Sequence, residues 1–401
     1  MLSSFDFCAS TRCIFGDDSE EKVGEVLKAD GAKKVLVVHD DGPFLYESGL
    51  LAKIFKSLTD AGLGYIDFGG VRPCPLRSRC KEGIATYRTE GCNYLLAVGG
   101  GSSIDSAKAI SAGVTYDGNF DDMFEREIPI DLAKKPNVAV IVTIASTGSE
   151  TGFAAVIYED DQSGYQFGGA IKGTGNILRP NITFLDPKLT LTVPPFQTAC
   201  GIVDMFGHVC ERYITVQPYG IVDYMEEAVM KSIIEFGQRV IRDPSDLEAR
   251  GELLWAANVA HNDTVGVGRR KDFGAHSCGS AFGPMFGTVH GATISIVMAS
   301  WMRQLYKKNI DRFYRYAVNV WNVTPDPTNP DRVCREGIDR TEQFFKCLGA
   351  PTNFAEGRIP VDRLDEIIDV TMLAEGGACG RVFKLGREDV SQILKAAAGV
   401  Q

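Results

Sequence analysis

The sequence predicts an α/β N-terminal domain with a parallel, Rossmann-like sheet, followed by an all-α C-terminal domain. Three observations carry this reading. Short β-branched apolar runs alternate with helical patterns through the first half of the chain. Pro187, Pro194 and Pro195 then punctuate the middle. Beyond them strand patterns largely vanish and long helical patterns take over. Strand–helix–strand repetition implies a parallel sheet with helices on both faces. The boundary falls near residue 188, giving domains 1–188 and 189–401.

The elements follow in order. KKVLVVHD (33–40) is a β-branched apolar run ending in polar residues, as a buried parallel strand does. Residues 46–62 carry apolar side chains at helical spacing and stop at Gly62. Strands follow at 64–70, 93–100 and 137–145, and helices at 77–91 and 103–114. In the second half, GIVDMFGHVCERYI, VDYMEEAVMKSIIEFGQRVI and EARGELLWAANVAHN read as long helices.

Composition narrows the function. A chain of 401 residues suits two domains, and 44% apolar with 23% charged content is ordinary for a globular protein. A net charge of −10 argues against a nucleic-acid partner, whose phosphates are bound by a Lys/Arg excess. There is no cationic run for an anionic membrane surface, and no apolar run near the roughly 20 residues of a span. Eleven cysteines, odd in number and without a C-x-x-C, read as free thiols in a reducing cytosol. The N-terminus MLSSFDFCAS lacks a signal-peptide pattern. The expectation is a soluble, cytoplasmic protein.

Four stretches could carry chemistry. In LLAVGGGSSIDSAKAI (95–110), three glycines sit between a buried strand and a helix with Ser102 or Ser103 near its cap. Glycines let the backbone approach an anion, and the first helical N–H groups point at it; a tight turn is the plainer account. A second polar loop, TIASTGSETG (143–152), follows the strand at 137–145, and two such loops suit a nucleotide crevice. In GIVDMFGHVCER (201–212), Asp204 and His208 are i and i+4, able to share a metal or simply to pair on a surface. The chain has five histidines, and two of them flank GAHSCGSAFGPMFGTVHGA at His276 and His290. A turn through Gly283–Pro284 and Gly287 would let both face one point. With Asp204 and His208 they make one carboxylate and three imidazoles, a set for Fe(II), Zn or Mn. His39 and His261 fit no such set.

Taken jointly, FGDDS, VRPCP, AVGGGSSIDSAKAIS, TIASTGSE, LDPKLTLTVPP, CGIVDMFGHVCERY and the His276…His290–Gly291 segment resemble the iron-containing (group III) alcohol dehydrogenases over nearly the whole chain. YDGNFDDMF, PPFQTACGIVD and MASWM point to the butanol-dehydrogenase-like branch. The resemblance implies the dehydroquinate synthase-like/iron-containing alcohol dehydrogenase architecture. It implies hydride transfer between a small-molecule primary alcohol or aldehyde and a nicotinamide, in a cleft between the two domains of a homodimer. By position, the metal ligands fall on Asp204, His208, His276 and His290. The resemblance implies Fe2+ as the metal, and a donor set of one Asp and three His accepts Zn2+ as well. The pyrophosphate loop falls on Gly99, Gly100, Gly101 and Ser102, with Asp105 counted among the cofactor contacts. Thr143 and Thr147 fall near the nicotinamide ribose and phosphates. The apolar loop with Phe282, Met285 and Phe286 would wall the substrate pocket.

The loop HDDGPF should reach the adenine ribose. Asp40 and Asp41 would accept from ribose hydroxyls and repel a 2′-phosphate, favouring NAD over NADP, unless both merely cap a turn. Two positions depart from the family. Ser280 stands where many members carry a proton-transferring histidine, so Ser280 with water is assigned that role. Ala170 stands where many carry a lysine, with Lys172 out of register. These departures motivate one alternative, a metal- and nucleotide-binding relative with little turnover. A metal-free reductase of the same fold is another, opposed by the intact ligand set. A dehydroquinate synthase-like lyase is opposed by the apolar AFGPMF.

Overall fold

The structure, a computed structural model, describes residues 3–160 and 168–400. These form two compact units. One is Cys8–Val193; the other runs from Pro194 onward and includes the N-terminal residues up to Phe7.

The first unit holds strands β1 (Arg12–Phe15), β2 (Lys34–Asp40), β3 (Gly64–Val71), β4 (Tyr94–Gly99), β5 (Asn137–Val142), β6 (Val156–Tyr158), β7 (Gly168–Ala170) and β8 (Ile182–Leu185). Its helices are α1 (Val23–Ala29), α2 (Pro43–Glu47), α3 (Leu50–Asp60), α4 (Arg77–Thr89), α5 (Gly101–Gly113) and α6 (Asp122–Glu125). Six strands form one sheet in the order β1-β8-β5-β4-β2-β3, and every pairing in it is parallel. β6 and β7 form a separate antiparallel pair. Val35–Val38 and Leu95–Val98 are fully buried, which is why β2 and β4 read as continuous apolar runs.

Three details differ from the sequence expectation. β1 and β8 went unread, because each has only four residues and RCIF shows no apolar periodicity. The helix expected over 46–62 is two helices, broken at Gly49 in the left-handed region (φ 73°). α5 starts at Gly101, two residues ahead of the expected 103, with Gly100 as its N-cap and Ser102 and Ser103 in its first turn.

One feature of the sheet places a site. The chain runs from β2 to β3 on one side of β2, then returns to lay β4 on the other side. The strand order therefore reverses between β2 and β4. Ligands of open α/β sheets bind outside the carboxyl ends of the strands at such a reversal. Those ends here are Asp40 and Gly99.

The described part of the second unit is helical: α7 (Pro195–Tyr213), α8 (Ile221–Arg242), α9 (Leu247–His261), α10 (Gly274–Cys278), α11 (Phe282–Phe286), α12 (His290–Leu305), α13 (Ile310–Asn319), α14 (Pro330–Leu348), α15 (Leu364–Ala374) and α16 (Arg387–Ala398). Pro195 at the first helical position starts α7, where its missing N–H is harmless. From Thr198 to Tyr213 every residue of α7 is buried. Its Phe206 ring meets those of Trp321, Phe344 and Phe345 at centroid distances of 5.7–6.0 Å. A central helix of this kind has no solvent face, so its Asp204, His208, Glu211 and Arg212 require partners inside the protein. No described helix is long and apolar enough to cross a membrane. All eleven cysteines are free.

Candidate active site

The second unit gathers the four residues read as metal ligands. Asp204 and His208 are one turn apart on α7, and both are buried. His276 lies in α10, and His290 is the first residue of α12. Gly291 brings α12 against α7, because any side chain there would overlap the main chain of Cys200, four residues before Asp204. Phe273, in the left-handed region at φ 56°, turns the chain into α10. Its ring lies edge-on to His276, with centroids 5.4 Å apart.

The donor atoms converge on one oxygen. Nε2 of His208 and of His276 each stand 3.7 Å from Asp204 Oδ1, and Nε2 of His290 stands 3.6 Å from it. Asp204, His276 and His290 offer donors all within 4.8 Å of one another, and His208 joins them through Asp204. Metal–ligand bonds of about 2.1 Å in a tetrahedron separate neighbouring donors by about 3.4 Å. The observed spacing is close to that, and one carboxylate with three imidazoles is a first-row transition-metal set. His276 Nε2 is buried and hydrogen-bonds to no described group. The residues therefore fit a divalent ion.

The electrostatics point the same way. Burial alone would raise the Asp204 pKa, but His208 and His290 outweigh it and hold the carboxyl well below the usual range. Burial pushes His208 well below its ordinary value, despite Asp204. Burial also disfavours charge on His276, yet Glu211 and Asp204 prevail and bring it up to about 9. The anionic Asp204 beside the neutral His208 is the protonation state that metal ligation needs, whereas His276 keeps a proton that a bound ion would displace from Nε2.

Two residues were missed. Glu211, fully buried on α7, pairs with His276 Nδ1 and accepts the backbone N–H groups of Ala275 (2.7 Å) and His276 (3.2 Å). Its spacing was a usable signal, since Asp204, His208 and Glu211 are i, i+4 and i+7 on one helical face. His261, set aside as unrelated, packs its ring 4.6 Å from that of His208. Nothing local to α9 announces this contact.

The apolar loop is corrected in part. Gly283 and Pro284 lie inside α11 rather than in a turn; Gly287, at φ 66°, ends it. Phe282 is a core residue against Phe354, with ring centroids 5.4 Å apart, and walls no pocket. Met285 and Phe286 are half-buried. The Ser280 hydroxyl is buried and hydrogen-bonds to no described group. Ala170 lies in β7, and Lys172 Nζ donates to the Glu125 carbonyl at 2.7 Å.

In the first unit, the residues read as nucleotide contacts cluster at the β2/β4 reversal. Gly99 has φ 138°, and a Cβ on it would stand 3.2 Å from Asp40 Oδ2 and 2.9 Å from Ser103 Oγ. A Cβ on Gly101 would stand 3.0 Å from Thr147 Oγ1, so Thr147 closes over the loop. The first bond of the α5 ladder runs from Ile104 N–H to Gly100 C=O, leaving the N–H groups of Gly101, Ser102 and Ser103 outside it. Thr143 N–H donates to the Gly99 carbonyl at 3.2 Å, tying the second loop to the first. Asp40 Oδ1 accepts Gly42 N–H (2.7 Å), and Asp41 Oδ1 accepts Gly70 N–H (2.8 Å). Both aspartates thus do brace turns, while Asp40 Oδ2 faces Gly99. Asp105, expected to touch the cofactor, accepts from Ser149 Oγ (2.5 Å) and Val156 N–H (2.8 Å). It holds the second loop in place.

A parallel sheet with a glycine loop at its strand reversal, and a helical unit with a carboxylate and three converging imidazoles, define a metal-dependent, dinucleotide-linked oxidoreductase. Comparison with known proteins agrees. Residues 10–187 match the family described as iron-containing alcohol dehydrogenase, and residues 198–398 match the C-terminal part of the Fe-containing alcohol dehydrogenase family. The chain is 33% identical to the probable NADH-dependent butanol dehydrogenase 1 of Bacillus subtilis, across 99% of this chain and 100% of that one. It is 30% identical to NADH-dependent butanol dehydrogenase A of Clostridium acetobutylicum, across 98% and 99% of the two. The crystal structure of NADH-dependent butanol dehydrogenase A from Thermotoga maritima superposes with a TM-score of 0.91, at 32% identity and 99% coverage of both chains. The chain belongs to the iron-containing alcohol dehydrogenase family, in its butanol-dehydrogenase-like branch. It is a nicotinamide-linked alcohol dehydrogenase/aldehyde reductase.

Proposed function

We propose that this enzyme interconverts a small or medium apolar primary alcohol and its aldehyde, with Fe(II) held by Asp204, His208, His276 and His290 and with NADH preferred over NADPH. The convergence of three imidazole Nε2 atoms on Asp204 Oδ1, at 3.6–3.7 Å, carries the reading. A divalent ion there supplies a Lewis acid for the alcohol or carbonyl oxygen. The protein's own part is placement. Gly99, Gly100, Gly101 and Ser102 receive the pyrophosphate at the start of α5. Thr143 and Thr147 flank the nicotinamide side of the cofactor. Asp40 and Asp41 meet the adenine ribose, where a carboxylate repels a 2′-phosphate. Ser280, with its hydroxyl uncommitted to described protein groups, hands on the proton through water. Met285 and Phe286, both half-buried, set the apolar character of the substrate.

The test is an initial-rate assay. Butyraldehyde-dependent oxidation of NADH and of NADPH is followed in protein loaded anaerobically with Fe(II), and again after chelation. Turnover that is faster with NADH and lost on chelation is the expected result. Turnover unchanged by chelation would overturn the metal assignment. Turnover faster with NADPH would overturn the cofactor preference.

A further inference from the structure

We propose that Glu211 is a positioning residue whose carboxylate fixes His276 in the tautomer that turns Nε2 toward the metal. This rests on His276 being a ligand, as proposed above. The argument is one of hydrogen-bond polarity. An ionised carboxylate only accepts. Glu211 is fully buried on α7, one turn beyond His208. Its Oε1 accepts two backbone N–H groups, from Ala275 at 2.7 Å and His276 at 3.2 Å. Its Oε2 pairs with His276 Nδ1, which must therefore carry the proton. A neutral imidazole protonated at Nδ1 has its lone pair at Nε2, and that atom stands 3.7 Å from Asp204 Oδ1. The carbonyl of Glu211 also accepts Asp272 N–H at 3.1 Å, so the same residue anchors the chain just ahead of α10.

The His208 ring is placed differently. Its Nδ1 is buried and bonds to no described group, and the His261 ring packs beside it. A carboxylate partner thus orients His276, whereas packing orients His208. Partners of ligand imidazoles that hold ring and tautomer change metal affinity about 10–100-fold when removed.

The informative variant is Glu211→Gln. The amide oxygen still accepts from Ala275 and His276 N–H, so the turn into α10 is kept. The amide NH2 then faces Nδ1 and favours the other tautomer, with a proton on Nε2 where the metal should bind. Co(II) serves as the probe, with affinity read by chelator competition and coordination read from the visible absorption bands. The expected result is a Co(II) Kd raised about 10–100-fold, altered bands, and metal-free melting close to wild type. Glu211→Asp keeps an acceptor-only group and recovers part of the affinity. In a His276→Ala background, Glu211→Gln adds little further loss. Wild-type Co(II) binding by Glu211→Gln, with binding lost in His276→Ala, would overturn the proposal and leave the ligand set standing. An equal further loss in the His276→Ala background would also overturn it, because Glu211 would then act on the fold. Unchanged Co(II) binding by His276→Ala would remove the ligand reading and the proposal together.

Discussion

Gly291 packs against the main chain of Cys200 so closely that even a methyl group there would overlap the Cys200 carbonyl. This contact sets how near α12 comes to α7, and hence how near His290 comes to Asp204, at 3.6 Å. Gly291→Ala should force the two helices apart. Overpacking of this kind destabilises by about 1–3 kcal/mol. The expected outcome is a lower urea midpoint for the metal-free protein and at least a tenfold weaker metal affinity. A variant with both properties at wild-type values would show that His290 does not depend on this contact.

Asp40 and Asp41 should separate in their effects. Asp40 Oδ2 faces Gly99 at the strand reversal, whereas the described bond of Asp41 goes to Gly70 N–H at 2.8 Å. Asp40→Ser should raise the NADPH-to-NADH ratio of kcat/KM by about tenfold, equivalent to about 1.4 kcal/mol of discrimination. Asp41→Ala should shift that ratio less and lower stability by about 1 kcal/mol, the worth of a hydrogen bond. Steady-state kinetics with both cofactors and a denaturation curve decide it. Equal shifts from the two variants would mean both carboxylates meet the ribose.

The legible parts of this protein were those written within one element. β2, β4 and β5 announce themselves because strands buried on both faces are continuous apolar runs. Asp204 and His208 stand at i and i+4, a spacing that became a ligand reading only with the family resemblance, and Glu211, at i+7 on the same face, was missed although its spacing offered it. Contacts between elements were not legible. His261 reaches His208 only through the packing of α9 on α7, which leaves no mark on the periodicity of either helix. Phe282 at helical spacing could line a pocket or fill a core, and its burial against Phe354 decides for the core. Asp105 follows the glycine loop as a ligand contact would, and it also bonds Ser149 and Val156, residues over forty positions away that no local pattern points to.

A buried acid in the first unit should make stability depend on pH. Glu20 is 2% exposed, and burial, together with Asp186, pushes its carboxyl up to about 7. Asp186 itself accepts Asp18 N–H at 3.0 Å and Lys188 N–H at 2.8 Å. A carboxyl raised in the folded state binds its proton more tightly there than in the unfolded chain. Between the ordinary value of 4.5 and about 7, the folded form therefore holds more protons, and stability falls as pH rises through that window. Glu20→Gln mimics the protonated group. It should stabilise the protein at pH 8 by about 1–3 kcal/mol and make little difference at pH 4. Urea midpoints of the two proteins across this range test it. A constant difference at all pH values would point away from Glu20 ionisation.

Asp105 gives the last test, because two roles predict different outcomes. Its oxygens take Ser149 Oγ at 2.5 Å and Val156 N–H at 2.8 Å, and Lys108, fully buried below, donates to the same Ser149 at 2.7 Å. Lys108 has its pKa brought down to about 8 by burial, partly offset by Asp105 and Glu150. Removing Asp105 would leave Val156 N–H without its acceptor and Lys108 without its nearest counter-charge. Val156 is exposed and its N–H can turn to water, so the cost, about 1–3 kcal/mol, falls on the buried Lys108. Asp105→Ala should therefore lower the urea midpoint of the cofactor-free protein, and weaken NADH binding as a consequence of the loosened loop. Asp105→Asn, which keeps one acceptor, should fall between. If Asp105→Ala weakened NADH binding while leaving cofactor-free stability at the wild-type value, Asp105 would be a direct cofactor contact rather than the brace of the loop that covers Gly101.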